Sequence, residues 1–277
     1  MLHSQRKRRA DRDAREAEGE NLWVEDVPQA ARVKIATFWA LLQEKSSEYV
    51  GTINREVADL MRLGGGYNVR SIDGDSLIKA TNADVALDVI GSFALYVKDG
   101  RSISRFASDF DQFVNTVFED YRVAYRMVDQ EVIPIGSDEL HTEVVAPALR
   151  LLVGAQFSKA HAAYLDALKE IPASPANAIT DAGTALQEVL TAVGCAGNAL
   201  GPLIKSAKKK GLLAPHDDAL NNGLENFLNW ASADRSQTGD GHHVSDATRA
   251  DAWLMVHIVG ALIVRLVDPS KRSTSGI

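Results

Sequence analysis

The chain has 277 residues, 45% hydrophobic and 24% charged, a balance that excludes wholesale disorder and supplies core for one large domain or two small ones. Eight prolines and 20 glycines are too few for a turn-dense all-β protein or a low-complexity one, so helix is the expected state. The single cysteine, Cys195, excludes an internal disulfide and a thiolate cluster for structural zinc, and a reducing, cytoplasmic location is expected.

Thirty basic against 37 acidic residues give a net charge of −7, which argues against coating nucleic acid through the overall field. The charge is uneven. Residues 200–277 carry nine Lys/Arg against eight Asp/Glu, residues 1–20 carry six against five, and the middle therefore holds −9. An anionic ligand is thus better matched to the C-terminal part than to the centre.

The first 20 residues, with Arg6-Lys7-Arg8-Arg9 and then alternating charges, lack the apolar stretch of a signal peptide and read as an exposed helix or frayed arm, residues 1–27. From Pro28, the positions Val33, Ala36, Ala40 and Gln43 follow helical spacing, and a second helix runs from Ser46 to Leu63, stopped by Gly64-Gly65-Gly66. Those glycines lack the Lys-Ser/Thr of a phosphate loop and read as a linker. Asp73-Gly74, between Val69-Ile72 and Leu77-Ile78, predicts the one hairpin. Helices follow over Asn82–Val97 and from Ile103 to about Val132, the latter spaced by Phe106, Phe110, Phe113, Val117, Tyr121 and Tyr125.

Ile133-Pro134-Ile135-Gly136-Ser137 is the best interior break, because proline bars helix before it and Ser137 or Asp138 can cap the next one. It divides a helical regulatory or sensor region, 28–135, from a second domain, 136–272, with a tail at 273–277. Beyond it, Asp138–Ile171 is helical with a kink or new start at Pro147. Ser174 and Pro175 open an amphipathic helix through Ile179, Ala182, Leu186 and Val189 to Gly194. A short helix from Pro202 ends in Lys208-Lys209-Lys210-Gly211, and Leu220, Leu224, Phe227, Leu228 and Ala231 mark the next. Ser245 caps the last helix, with Trp253, Leu254, His257, Ile258, Ala261 and Leu262 facing inward. Its apolar run, Ala252–Val267, is broken by His257 and Arg265 and is shorter than the roughly 20 residues of a membrane span, so it reads as a core helix and no membrane is expected.

Between the last two helices lies Arg235-Ser236-Gln237-Thr238-Gly239-Asp240-Gly241-His242-His243. A guanidinium offers always-charged, planar, bidentate donors to a phosphodiester and its pentacoordinate transition state. An imidazole titrating near neutrality can move a proton at the ribose 2′-OH or the leaving 5′ oxygen. Chance supplies on the order of one such Arg-to-His pair in a chain of this composition, so spacing alone leaves open a loop whose polar residues merely satisfy backbone groups. His242-His243 has only Asp240 and Asp246 nearby, which leaves a metal site short of ligands.

The order of elements narrows these alternatives. An amphipathic helix, a short basic helix ending Lys210-Gly211-Leu212-Leu213, a third helix, the Arg-x6-His turn with Gly239 and Asp240, and a long apolar helix together resemble the C-terminal domain of bacterial abortive-infection proteins, a branch of the HEPN superfamily. The likeness covers about Ser174–Val267, with Asn177–Ala182 and Glu188 matching the opening helix. Many relatives have asparagine after the arginine, where this chain has Ser236.

The resemblance implies an all-α fold ending in a four- to five-helix bundle that dimerises and faces two such turns across an RNA strand. It implies a metal-independent endoribonuclease without cofactor that cuts tRNA or other cellular RNA and leaves a 2′,3′-cyclic phosphate. Arg235, His242, Asp240 and Ser236 would form the site, Lys205, Lys208, Lys209 and Lys210 would track phosphates, and a phage component would be the trigger. The alternative is a catalytically silent helical dimeric adaptor or nucleotide-binding module. Cys195, with no basic neighbour in sequence, and His257, on an apolar face, are expected to be structural.

Overall fold

The computed structural model describes residues 3–18, 20, 22–100, 103–213, 222–223, 226–227 and 247–268. Helix dominates, with one two-stranded sheet among the described residues. The chain divides into two compact units, Met1–Ile133 and Pro134–Ile277.

In the first unit, α1 (His3–Ala17) is followed by α2 (Gln29–Glu44), α3 (Val50–Gly65), α4 (Gly74–Ile78), α5 (Ala83–Asp99), a 3₁₀ turn (Ser104–Phe106) and α6 (Ala107–Tyr121). The core is aromatic at its centre. Trp39 of α2 stacks on Phe93 of α5 at 4.3 Å and meets Phe110 of α6 edge-on at 6.4 Å, and all three are fully buried. Such offset and edge geometries suit ring quadrupoles and add to the area buried. By contrast α1 offers only alanines among its charges and is held by ion pairs, Arg9 to Asp120 and Glu16 to Arg122.

Two expectations fail here, for local reasons. Asp73-Gly74 does not turn a hairpin: the Asp73 carboxylate accepts from the Ser76 amide at 2.9 Å and Ser76 answers the Asp73 amide, a reciprocal cap that starts α4. The hairpin lies instead where a helix was expected. α6 stops at Tyr121 because Arg122 turns left-handed (φ 51°), and β1 (Tyr125–Val128) then pairs with β2 (Glu131–Pro134). Asp129 and Gln130, with φ of 51° and 66°, supply the two left-handed residues of a tight hairpin turn without glycine. The Asn115 side chain docks β1 on α6, donating to the Met127 carbonyl at 2.8 Å and accepting its amide at 2.7 Å.

The second unit begins with α7 (Asp138–Leu140), capped by the Ser137 hydroxyl. The helical stretch expected over Asp138–Ile171 does start anew at Pro147, and it is broken once more at Ala155–Phe157. Pro147 lacks an N–H and its ring collides with the carbonyl four residues back; the chain widens into a π turn over His141–Val145 before α8 (Ala146–Leu151). A 3₁₀ turn at Ala155–Phe157 leads into α9 (Ser158–Glu170), then α10 (Pro175–Ala192), α11 (Leu200–Lys209) and α12 (Arg249–Val267).

α10 is the hub of this unit, packing on α9, α11 and α12, while α12 also covers α8 and the π turn. Small residues allow the close approach: Ala178, Ala182, Gly183 and Ala185 on α10 and Ala252 and Gly260 on α12 are all buried. At Gly260 a side chain would collide with the Tyr164 hydroxyl, which donates to the Val256 carbonyl at 3.0 Å. α12 starts at Thr248, whose hydroxyl exchanges hydrogen bonds with Asp251; the expected cap, Ser245, lies outside the described residues. Its buried face also differs from the expected one. Ala252, Met255, Val256, Val259, Leu262, Ile263 and Leu266 are buried, whereas Leu254 is 50% exposed and Ala261 is exposed. Periodicity could not phase a helix that is apolar nearly all round.

Candidate functional site

The residues expected to carry chemistry divide sharply. Arg235, Ser236, Asp240, His242 and His243 lie outside the described residues, as do Leu220, Leu224, Leu228 and Ala231. The lysines of α11 and the helices on either side of the turn in sequence are described.

α11 buries Leu200, Leu203, Ile204 and Ala207. Lys205, Lys208 and Lys209 fall three and four residues apart, so they share the opposite face; Lys205 and Lys209 are exposed and Lys208 is half-buried. Three cations within about a helical turn and a half form a local positive edge on a chain of net charge −7, and the last two also favour the helix C-terminus. Lys210 is differently employed. Its ammonium donates to the Gly194 carbonyl, at the end of α10. There Gly194 is left-handed (φ 83°) and the Cys195 amide closes on the Leu190 carbonyl at 2.9 Å, the wrap that commonly ends a helix.

That arrangement gives Cys195 neighbours that its sequence surroundings lack. Burial pushes the thiol up, and this outweighs Lys210 and the Ser206 hydroxyl, which favour the thiolate. Ser206 also accepts from the Ala196 amide at 2.9 Å, so Cys195 belongs to the packed α10–α11 corner. A raised thiol is a poor nucleophile at neutral pH.

His257 on α12 is half-buried, stacks on Trp253 at 5.2 Å, and burial lowers its pKa. It is therefore a neutral packing residue at pH 7. Glu188 is half-buried on α10; its expected neighbour, Arg235, lies outside the described residues. Among the described residues, no three His, Cys, Asp or Glu side chains gather where a metal could be held. One described helix, α12, is long and apolar enough to cross a membrane by length and composition; a whole face of it is packed against α8, α9 and α10.

No protein-family model, curated protein or solved structure matches this chain.

Sequence reading missed one grouping in the first unit. Phe106, Phe110 and Phe113 share a helical spacing, yet only Phe110 enters the core; Phe106 and Phe113 are half-buried and line a surface cleft with Phe38 and Lys45. A spacing rule assigns a face but does not say where the neighbouring helix ends.

Proposed function

We propose that this protein is a metal-independent endoribonuclease of the HEPN type, a toxin of anti-phage abortive infection that cuts cellular RNA such as tRNA when triggered. The observation that carries the reading is the segment Arg235–His243, whose place in the chain, between a lysine-bearing α11 and a long apolar α12, is the order found in that family. A helical unit built on closely packed α10 and α12 supports it as a rigid scaffold on which a connecting segment can carry function.

In this reading an imidazole, His242, takes the proton of the ribose 2′-OH, and the 2′ oxygen bonds to the adjacent phosphorus. Arg235 neutralises the charge that develops on the phosphorane oxygens. The bond to the 5′ oxygen breaks, that oxygen leaves with a proton returned by an imidazolium, and the products are a 2′,3′-cyclic phosphate and a 5′-hydroxyl. Asp240 and Ser236 orient these groups, and Lys205, Lys208 and Lys209 hold flanking phosphates. A closed two-fold pair of chains, the commonest oligomer, supplies two such sets to one strand. No step needs a metal or cofactor.

General acid–base help is worth about 10²- to 10⁴-fold and a charge-stabilising donor about 10²- to 10³-fold. Induced expression of the wild-type chain should arrest growth and fragment cellular RNA, and Arg235→Ala and His242→Ala should each abolish both. Full toxicity from His242→Ala would leave the silent adaptor as the better reading.

A further inference from the structure

Six of the 15 residues of α1 are Lys or Arg and three are Asp or Glu. Most of these charges are already employed. Arg9 donates to Asp120, Arg12 to Asp13 and Arg15 to Glu20, while Glu16 accepts from Arg122. Arg6, Lys7 and Arg8 are exposed, and none of them has a carboxylate at ion-pair distance among the described residues. What is left over on α1 is therefore three adjacent cations against one carboxylate, Asp11.

Helix stability does not account for the cluster. The first turn of a helix favours acidic residues, α1 has none there, and neighbouring like charges repel. Lys7 and Arg8 line an open cleft of about 690 Å³ that α1 forms with the end of α6, and Leu22, Val24 and Tyr121 supply its apolar surface. The Arg8 guanidinium lies 4.7 Å from the Tyr121 ring centroid, a contact that positions the group and leaves its charge intact. Two carboxylates on the same walls are neutralised, Glu20 by Arg15 and Asp120 by Arg9 and Lys34.

The side chains of α1 narrow the class of partner. Its apolar residues are Ala10, Ala14 and Ala17, too little to enter a lipid surface or to anchor a protein interface, which needs a large side chain in a pocket. A phosphate backbone binds through charge itself, by releasing its counterions. Apolar surface beside the charges suits the faces of sugar and base.

We infer that α1 and the cleft beside it form a docking surface for a single strand of RNA. Phosphates lie against Lys7 and Arg8, and Arg6 extends the track. The choice of RNA rests on the ribonuclease proposed above; the charge pattern does not.

Fluorescence anisotropy of the full chain with a labelled RNA of about 12 nucleotides, titrated between about 50 and 200 mM NaCl, tests this. Each single-strand phosphate contact contributes about −0.7 to the slope of log K against log salt. Arg6→Gln, Lys7→Gln and Arg8→Gln should each flatten the slope by about that amount, and Asp11→Asn should tighten binding. Arg55→Gln, at an exposed cation of α3, makes the same change in net charge and should leave the slope unaltered. So should Arg15→Gln combined with Glu20→Gln, which removes a neutralised pair. RNA bound with these slopes but never cut would uphold the surface and count against the ribonuclease. RNA cut normally, with slopes unmoved by the three variants, would overturn the surface and spare the ribonuclease. No binding at the lowest salt, an equal loss in Arg55→Gln, or tighter binding of phosphatidylserine vesicles or of DNA of the same sequence would each overturn the proposal.

Discussion

The two units solve the same problem, packing helices around a core, with different materials. The first uses large aromatics and pins its element junctions with buried polar groups. The second uses small residues and long interhelical contacts, with the buried Tyr164 hydroxyl donating across to the Val256 carbonyl. Arg32 shows the first strategy most clearly: nearly buried, it donates to the Val27 carbonyl at 2.6 Å, to the Ala80 carbonyl at 2.5 Å and to Asp26 at 3.0 Å. It thereby ties the entrance of α2 to the segment between α4 and α5. Gly260 shows the second, since its value lies in having no side chain where Tyr164 and Val144 approach.

The sharpest way to break this contrast is Arg32→Met. The Val27 and Ala80 carbonyls lose their donor at once, and each such acceptor left unsatisfied away from water costs about 1–3 kcal/mol, while Asp26 is largely exposed and adds little. Hydrogen exchange should show protection lost through α2, α4 and α5 while α10 and α12 keep theirs; an equal loss in both units would contradict the contrast.

Next in size is Gly260→Val. Overpacking a close helix contact costs about 1–3 kcal/mol, and the loss should appear in α9 and α12, read by the same exchange measurement. An unchanged Tm would show that this helix pair is looser than its packing indicates.

Ends with strong local chemistry were legible: Asn82 caps α5 by accepting the Val85 amide at 2.9 Å, Pro175 opens α10, and Gly194 closes it. Junctions set by distant partners were not. An Asp-Gly pair serves a hairpin or a helix cap equally well, and Ser76, three residues on, decided for the cap. The hairpin that does form has Asp129-Gln130 at its turn, without the glycine that makes an Asp-x pair a hairpin signal, and is held by Asp111 accepting from the Gln130 amide at 3.2 Å and from its side chain at 2.9 Å. Phe106 and Phe113 were placed on a helical face, but the cleft beside them depends on where α2 ends. The Arg235–His242 segment was legible only as a pattern of residue types.

Asp111 supplies the smallest and most specific test. Burial, the largest influence, raises its pKa from 3.8 to about 6 against the bonds from Gln130 that lower it. A carboxyl with a raised folded pKa binds more protons folded than unfolded between those values, so its contribution to stability is complete below about pH 4 and is lost as pH rises through about 6. Asp111→Asn keeps an acceptor for Gln130 and carries no charge. Urea denaturation at pH 4.5 and 7.5 should show a smaller pH dependence in this variant and a first unit at least as stable at pH 7.5. An unchanged pH dependence would show that Asp111 does not titrate there.

The 2′-hydroxyl chemistry proposed for the second unit can be tested with one substituted substrate. A cellular RNA cut by the purified chain in EDTA should yield ends bearing a 2′,3′-cyclic phosphate, and the same RNA with hydrogen in place of the 2′-OH at the cleaved position should resist. Cleavage of the substituted RNA at an undiminished rate would contradict the claim.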